Sequence, residues 1–421
     1  MFSFSLESLH TDLSTVIAAV TVLVVLVHLV PYLIDSRRLR SYPGPLIAKF
    51  SDAWLGYVSH QGHRSEVIYD LHRKYGPFVR IAPNHVSVAV SDAQSMVYGH
   101  GNGALKSSFY DVFITTSIGI FTARDRPTHT RKRKIISHTF SQKSVLEFEP
   151  HVHRYVGQLL GQWDKLYDKA LKGMSGEEVL MRIPMFRKGG ENTDALVGMA
   201  VAAVSKRLEG NPMGREELTA EAFTLLIAGS DTTSNSTCAI IYYLARTPGV
   251  QQKLHKELDD HLESDVATAE RVKNLAYLQA VINEGLRLHS TVGIGLPRVA
   301  PEGGMTILGN YIPGGTIISV PTYTIHRDPA VFGDDIEEFR PERWFECDSA
   351  GVSKAFSPFS VGPRACIGRN LANFELQIII ASILKRYHFV LENPDEVLKV
   401  QEGFLRKPIG CRVGMNRREV L

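Results

Sequence analysis

Near the end of the sequence, FSPFSVGPRACIGRN (356–370) sets one thiol, Cys366, between basic Arg364 and Gly368. A cysteine does chemistry as its thiolate, which nearby cations, backbone amides and the positive end of a helix all stabilise. Arg364 precedes the thiol, Gly362 and Gly368 permit a tight turn, and IGRNLANFELQIIIASIL reads as an apolar-striped helix behind it. The ordinary alternative is a small buried hydrophobe. The combined spacing of Phe359, Gly362, Arg364, Cys366 and Gly368 is much harder to obtain by chance than a lone cysteine beside glycine.

Two other stretches hold residues that a plain core would not choose. GREELTAEAFTLLIAGSDTTSNSTCAIIYYLAR (214–246) reads as one helix of about 45 Å with AGSDTTS at its centre. Gly229 costs a helix interior about 1 kcal/mol relative to alanine, and Ser or Thr hydroxyls there bond back to the helix carbonyls. A buried Asp231 is costly unless it is bonded or used. The stretch is therefore either a break between two helices or a groove against a flat ligand, with Asp231 and Thr232 handling protons and water. In AYLQAVINEGLRLHS, Glu284 and Arg287 share one helical face. They form either a surface ion pair or a buried pair among Leu278, Val281, Ile282, Leu286 and Leu288. A buried pair needs further partners, and Arg343 of FRPERW is the candidate.

The elements that must position these groups are mostly helical. VIYDLHRKYG (67–76) reads as an amphipathic helix ended by Gly76, and FVRIAPNHVSVAV (78–90) as two strands around a turn. Residues 129–174 carry helical patterning, and helical signals continue to about Arg287. MTILGNYIPGGTIISVPTYT (305–324) then alternates like a small sheet. The 421 residues, 44% hydrophobic, suffice for one large domain or two, and no repeat is apparent. A net charge of +3 gives no argument for nucleic acid. The 4 cysteines are scattered without a CxxC pair, which predicts a reducing compartment and no disulfide framework.

VIAAVTVLVVLVHLVPYLI (16–34) contains no charged residue and spans about 28 Å as a helix, close to bilayer thickness. Glu7 and Asp12 in the leader argue against a cleaved signal peptide, and a buried core helix is the other alternative. Arg37, Arg38 and Arg40 follow the span, which predicts a luminal tip and a cytoplasmic globule. The expected division is a membrane anchor over 1–35, a stiff proline-rich elbow over 36–48 and a globular domain over 49–421.

Taken in chain order, A-G-x-D-T-T, E-x-x-R, P-E-R and F-x-x-G-x-R-x-C-x-G resemble the cytochrome P-450 superfamily of haem-thiolate monooxygenases. The resemblance implies a mainly α fold with a minor β region and a haem b cofactor whose iron takes Cys366 as axial ligand. It further implies dioxygen as co-substrate and electrons from NADPH through a reductase. Asp231 and Thr232 match the acid-alcohol pair that relays protons, and Glu284, Arg287 and Arg343 match a structural triad. His129 and Arg133 in HTRKRK, with Arg364 and Arg298, resemble the groups that hold the haem propionates, while Phe359, Gly362 and Gly368 shape the ligand loop. Arg131, Lys132 and Lys134 form either a reductase-docking surface or a solvated face.

A narrower resemblance covers most of the chain outside its middle. YPGPLIAKFSDAWLGYVSHQGHRSEV, the long helical stretch and FLRKPIGCRVG are similar to the fungal benzoate para-hydroxylases. This implies conversion of benzoate to 4-hydroxybenzoate at the endoplasmic reticulum membrane. A small apolar pocket with one anion anchor is then required. GALKSSFYDVFITTSIGIF (103–121) offers Phe109, Phe113 and Phe121 as walls and Lys106, Ser107, Ser108 or Tyr110 as anchors. The alternatives are another small hydrophobic or phenolic substrate, or a shortened non-catalytic isoform. The chain departs from its relatives between about 175 and 214, where it is markedly shorter and is expected to lack part of the lid over the pocket. ENTDALVGMAVAAVSKRL (191–208) is expected to be what remains of the stretch leading to the long helix.

Overall fold

The computed structural model describes residues 13–173, 213–410 and 412–418. Glu7, Asp12, Cys411, the shortened stretch from 175 to 212 and ENTDALVGMAVAAVSKRL lie outside the described residues.

The uncharged N-terminal run forms one helix, α1 (Leu13–Ile34), of 22 residues. Its apolar window, Ser14–Ile34, has a mean hydropathy of 2.6 and is 0% buried, so the core-helix alternative is set aside and the helix suits a membrane anchor. The elbow that follows does not stand away from the globule as a spacer. Leu39 and Ala48 are buried, the Arg80 amide donates to Pro43 O at 2.7 Å, and the Leu39 amide donates to Asp35 Oδ1 at 2.8 Å. The anchor is itself held from this side. His28 Nδ1 donates to Phe50 O at 2.9 Å, and the Tyr32 and Phe50 rings lie 4.5 Å apart.

Two helices, α2 (Ala53–His60) and α3 (Arg64–Tyr75), lead into the expected strand pair. Strand β1 (Phe78–Ala82) runs antiparallel to β2 (His85–Val88), with Val79 opposite Ser87. After α4 (Ala93–Tyr98), strand β3 (Leu105–Lys106) completes one edge of a five-stranded sheet. The order is β1-β2-β7-β4-β3, with β4 at Arg298–Val299 and β7 at Ile317–Ser319. The alternating 305–324 stretch divides between two sheets. Strands β5 (Met305–Ile307) and β6 (Asn310–Ile312) pair with each other, β7 joins the large sheet parallel to β2, and Thr322–Ile325 turns helical.

The helical stretch from 129 onward resolves into α5 (Arg126–Ile136), α6 (Gln142–Leu146) and α7 (Glu149–Gly173). Asp125 starts α5 by accepting from the Thr128 amide at 2.8 Å, and Ser141 starts α6 by accepting from the Ser144 amide at 3.2 Å. Helices α8 (Arg215–Arg246), α9 (Pro248–His261), α10 (Ala276–His289) and α11 (Arg369–Arg386) complete the helical body. The main core lies where α7 to α11 meet, around Leu160, Ile240, Leu244, Leu258, Ile282 and Leu384. The C-terminal strands β8 (Tyr387–Leu391) and β11 (Val413–Arg417) form one pair, and β9 (Lys399–Glu402) and β10 (Arg406–Ile409) form a hairpin.

Candidate functional site

Helix α8 runs through its unusual centre without a break. Its 32 residues reach about 48 Å. Hydroxyls supply the reason: Thr232 Oγ1 donates to Ala228 O at 2.7 Å and Ser236 Oγ donates to Thr232 O at 2.8 Å. Such back-bonding lets Ser and Thr occupy a helix interior while loading its carbonyls on one side. Residues 228–231 are exposed and Thr232 is half-buried. The expectation of a buried Asp231 is thereby corrected, because its carboxylate stands on the accessible face of α8.

Glu284 and Arg287 are fully buried, so the surface-pair alternative fails. Arg287 grips Glu284 through Nε and Nη2, each at 2.9 Å, and Arg343 Nε adds a third bond at 2.8 Å. Trp344 Nε1 and the Arg340 amide also donate to this carboxylate, at 3.1 Å each. The two guanidinium groups spend their remaining donors on carbonyls: Arg287 on His326 and Ile336, Arg343 on Asp335 and Glu338. One carboxylate between two buried guanidinium groups, with every oxygen and most donors engaged, is the arrangement in which a buried ion cluster is tolerated.

The cysteine loop sits at the N-terminal end of α11. The Cys366 amide donates to Phe359 O at 2.9 Å, and Arg133 Nη1 donates to Ala365 O at 2.8 Å. Phe359 packs its ring onto the main core. Gly362 has φ +74°, and a Cβ there would stand 2.0 Å from Tyr98 O, so the loop is keyed to the end of α4 by a residue that must be glycine. At Gly368 a Cβ would meet only Cys366 Sγ, at 4.0 Å, so the backbone beside the sulfur opens onto free space. Cys366 is accessible to water yet densely surrounded by protein. Burial raises the thiol above its ordinary value, while the amides of Gly368 and Arg369 and the cations of Arg133 and Arg369 oppose that rise.

Lys106 and Arg298 face each other across the β3–β4 pair, both buried. Like charges placed opposite on a sheet repel. His129 and Arg364 stand in the same field. Burial, then the surrounding cations, pushes Lys106 far below the ordinary lysine value and His129 down to about 3. Burial and Arg298 lower Arg364 to about 10. Arg298 Nη1 donates to Tyr110 Oη at 2.8 Å, and Arg364 donates to Ala123 O at 2.7 Å and to the Arg124 and Asp125 carbonyls at 3.0 Å each. A cavity of about 200 Å³ is lined by Arg126, His129, Arg298 and Arg364, so four basic side chains converge on one small space.

In the 103–121 loop the three phenylalanines named as walls pack together, and the four residues named as anchors have different surroundings. Phe109, Phe113 and Phe121 form an edge-to-face cluster with centroids 5.5 Å apart for Phe109–Phe113 and Phe113–Phe121. Lys106 Nζ donates to Phe121 O and lies 4.7 Å from the Tyr110 ring centre. Ser107 Oγ accepts from the Phe109 amide at 3.3 Å as a helix cap, Tyr110 is held by Arg298, and Ser108 is exposed. One wall was missed by the sequence reading. Phe404, at the tip of the β9–β10 hairpin, closes on Phe113 at 5.3 Å and Phe121 at 5.4 Å. Lys132, grouped by sequence with a basic surface, is instead buried and donates to Glu221 Oε1 at 3.0 Å, with Glu217 beside it. Arg131 also pairs with Glu217, which leaves Lys134 as the member of that group that is exposed without such a partner.

A thiol at a helix start, a long helix with a polar centre and a buried Glu–Arg–Arg cluster together define a haem-thiolate protein. The Cytochrome P-450 family profile matches residues 188–415, and the chain belongs to that family. It is 39% identical over 499 aligned positions to benzoate 4-monooxygenase bphA of Aspergillus niger, covering 94% of this chain and 96% of that protein. It is also 29% identical to a pisatin demethylase of Fusarium vanettenii, over 88% of this chain and 89% of the relative. The cytochrome P-450 monooxygenase gsfF of Penicillium aethiopicum is 27% identical over 92% and 95% of the two chains. The first alignment, at 499 positions, is longer than the 421 residues of the chain, so that relative carries residues without a counterpart here.

Members of this family are monooxygenases that use haem, dioxygen and electrons from a redox partner. The residues present fit such a group. The backbone beside Cys366 Sγ is open at Gly368, and the cavity on which Arg126, His129, Arg298 and Arg364 converge suits a carboxylate-bearing edge.

Proposed function

We propose that the chain is a haem-dependent monooxygenase of a small aromatic carboxylic acid, converting benzoate to 4-hydroxybenzoate. The observation that carries this reading is the edge-to-face cluster of Phe109, Phe113, Phe121 and Phe404, an apolar wall with the buried Lys106 amine against Phe121 and Tyr110 at its edge. The similarity to benzoate 4-monooxygenase supports the same substrate. In this reading one oxygen atom of O2 enters the ring and the other leaves as water, with two electrons from NADPH delivered by a reductase and two protons taken up.

Cys366 would hold the haem iron through its thiolate, and Arg298, Arg364, His129 and Arg133 would hold its propionates. Bound there, haem would supply oxygen activation, which the electron-rich thiolate would favour. Thr232 spends its hydroxyl hydrogen on Ala228 O, which leaves the oxygen free to accept a hydrogen bond. Asp231, on the exposed face, exchanges protons with water and passes them to this position. Glu284, Arg287 and Arg343 fix the fold behind the loop. The arginines after α1 support the reading that the globule faces the cytoplasm at the endoplasmic reticulum membrane.

Thr232→Ala is expected to lower productive turnover by about a hundredfold, the low end of what a positioned proton-transfer group contributes. Reductant consumption should continue with release of peroxide. Unchanged product per NADPH would remove Thr232 from the proton path.

The test of the whole reading is a reduced, carbon monoxide-bound difference spectrum followed by titration with benzoate. A strongly red-shifted Soret band, together with a benzoate-induced spin shift and 4-hydroxybenzoate formed with a reductase, is the expected result. The length of the aligned relative favours one second reading: a shortened family member that binds haem without turnover. A normal carbon monoxide spectrum with no benzoate shift and no product would select it.

A further inference from the structure

Phe404 stands alone at the apex of a three-residue tip. Glu402 and Arg406 face each other at the last rung of the β9–β10 ladder, and Gly403 N donates to Leu405 O across the tip at 3.1 Å. Nothing within such a tip fixes the direction of its central side chain, so the contact of Phe404 with Phe109, Phe113 and Phe121 depends on what holds the two flanking residues in place.

Glu402 is 3% exposed, and both of its carboxylate oxygens reach the first turn of α3. Oε2 accepts from the Ser65 amide at 2.6 Å and Oε1 accepts from the Ser65 hydroxyl. The Glu402 amide donates to Gly62 O at 2.8 Å, so backbone and side chain grip the same corner. His63, the residue before α3, supplies no side-chain cap, which leaves orphan amides that a carboxylate satisfies well at the positive helix end. On the other flank, the Arg406 amide donates to Thr291 O at 2.8 Å, and its side chain donates to His289 O and Glu66 Oε1, both at 3.0 Å. Thr291 Oγ1 in turn lies 2.8 Å from Ser236 Oγ, which donates to Thr232 O. The hairpin is thus tied to α3 on one side and, through Thr291, to the polar centre of α8 on the other.

We propose that Glu402 is a positioning residue for Phe404, its buried carboxylate clamping the hairpin so that this ring closes the aromatic box and sets how a bound aromatic ligand is held. The inference rests on reading that box as the substrate wall. Glutamine at 402 is nearly isosteric but turns one acceptor into a donor, facing the Ser65 donors with Arg64 and Arg406 close by. The charge-assisted bonds and the anion that faces Arg64 and Arg406 are therefore lost, and the Ser65 hydroxyl has to turn from donor to acceptor.

The experiment uses the full-length holoprotein and two iron-ligating probes, imidazole and 4-phenylimidazole, whose affinities differ by what the phenyl ring gains from the box. In Glu402→Gln the ratio of the two affinities is expected to fall by about tenfold, the size of one lost aromatic contact. Imidazole affinity and the carbon monoxide spectrum should stay as in the parent. Hydrogen exchange should quicken in 399–409 and at the first turn of α3, with the rest of the chain unchanged. Ser65→Ala keeps the amide bond to Oε2 and should give a smaller change in the same direction, which preserves the test if Glu402→Gln folds poorly. An unchanged affinity ratio in a variant whose hairpin exchanges faster overturns the proposal, as does unchanged exchange. A falling ratio in a chain that benzoate fails to shift upholds the clamp and sinks the substrate assignment instead.

Discussion

Replacement of Cys366 by alanine is expected to abolish the red-shifted Soret band of the reduced carbon monoxide complex and with it all oxygen insertion. The loop geometry isolates this effect from folding. The Cys366 amide, not its side chain, makes the bond to Phe359 O, and Gly362, two residues from Arg364, carries the sharp turn. Removing the sulfur therefore leaves the loop keyed to α4 and α5, and haem retained by the cationic cluster without thiolate ligation is the expected product. A thiolate-type spectrum surviving in Cys366→Ala would mean that another of the cysteines ligates. Cys238 lies in the core of α8 and Cys347 beside Arg343, so neither has the open backbone that surrounds Cys366. Retention of the band is the one result this assignment does not survive.

Glu284→Ala is expected to be the most damaging change to stability. It leaves the Arg287 and Arg343 guanidinium groups buried side by side without their shared carboxylate, a loss of about 3–5 kcal/mol when a buried pair is broken from one side. Against a typical net stability of about 5–15 kcal/mol, that is enough to empty most of the folded population under mild stress. Denaturant midpoint and haem content should fall together, and Trp344, which donates to the same carboxylate, offers an emission signal for the local collapse. Arg343→Lys should cost less, since it keeps one charge near Glu284 while losing the donors that reach Asp335 and Glu338. A Glu284→Ala holoprotein with an unmoved midpoint would show that the cluster does not stabilise the fold.

Local spacing explains what could be read from the sequence. Glu284 and Arg287 are one helical turn apart, and the Phe359–Gly368 loop is short, so in both cases the chemistry and the geometry share one segment. The strands at 78–90 and the helix ended by Gly76 were legible for the same reason. What stayed hidden depends on contacts between distant segments. Phe404 enters the aromatic box from the far end of the chain, and Glu402 caps a helix whose first turn lies 337 positions away. Lys132 looked solvated because α5 is rich in basic residues, and only the placement of α8 beside it brings Glu217 and Glu221 within reach. The continuity of α8 needed its hydroxyls to be seen returning to the carbonyls, since glycine with polar neighbours reads equally as a break.

The docking of α1 has a mechanical consequence. A span of 22 residues is a rod of about 33 Å, and here its C-terminal end is clamped by His28, Tyr32 and Asp35 to the segment that braces β1 through Pro43. A rod on a slack tether would let the globule tumble under the bilayer. A clamped one acts as a lever. Membrane-spanning helices lean by about 20° on average, and the lean follows the match between apolar length and bilayer thickness. In a membrane such a lean would reach the five-stranded sheet through the clamp and the Arg80–Pro43 bond, so lipid thickness would bear on the pose of the globule.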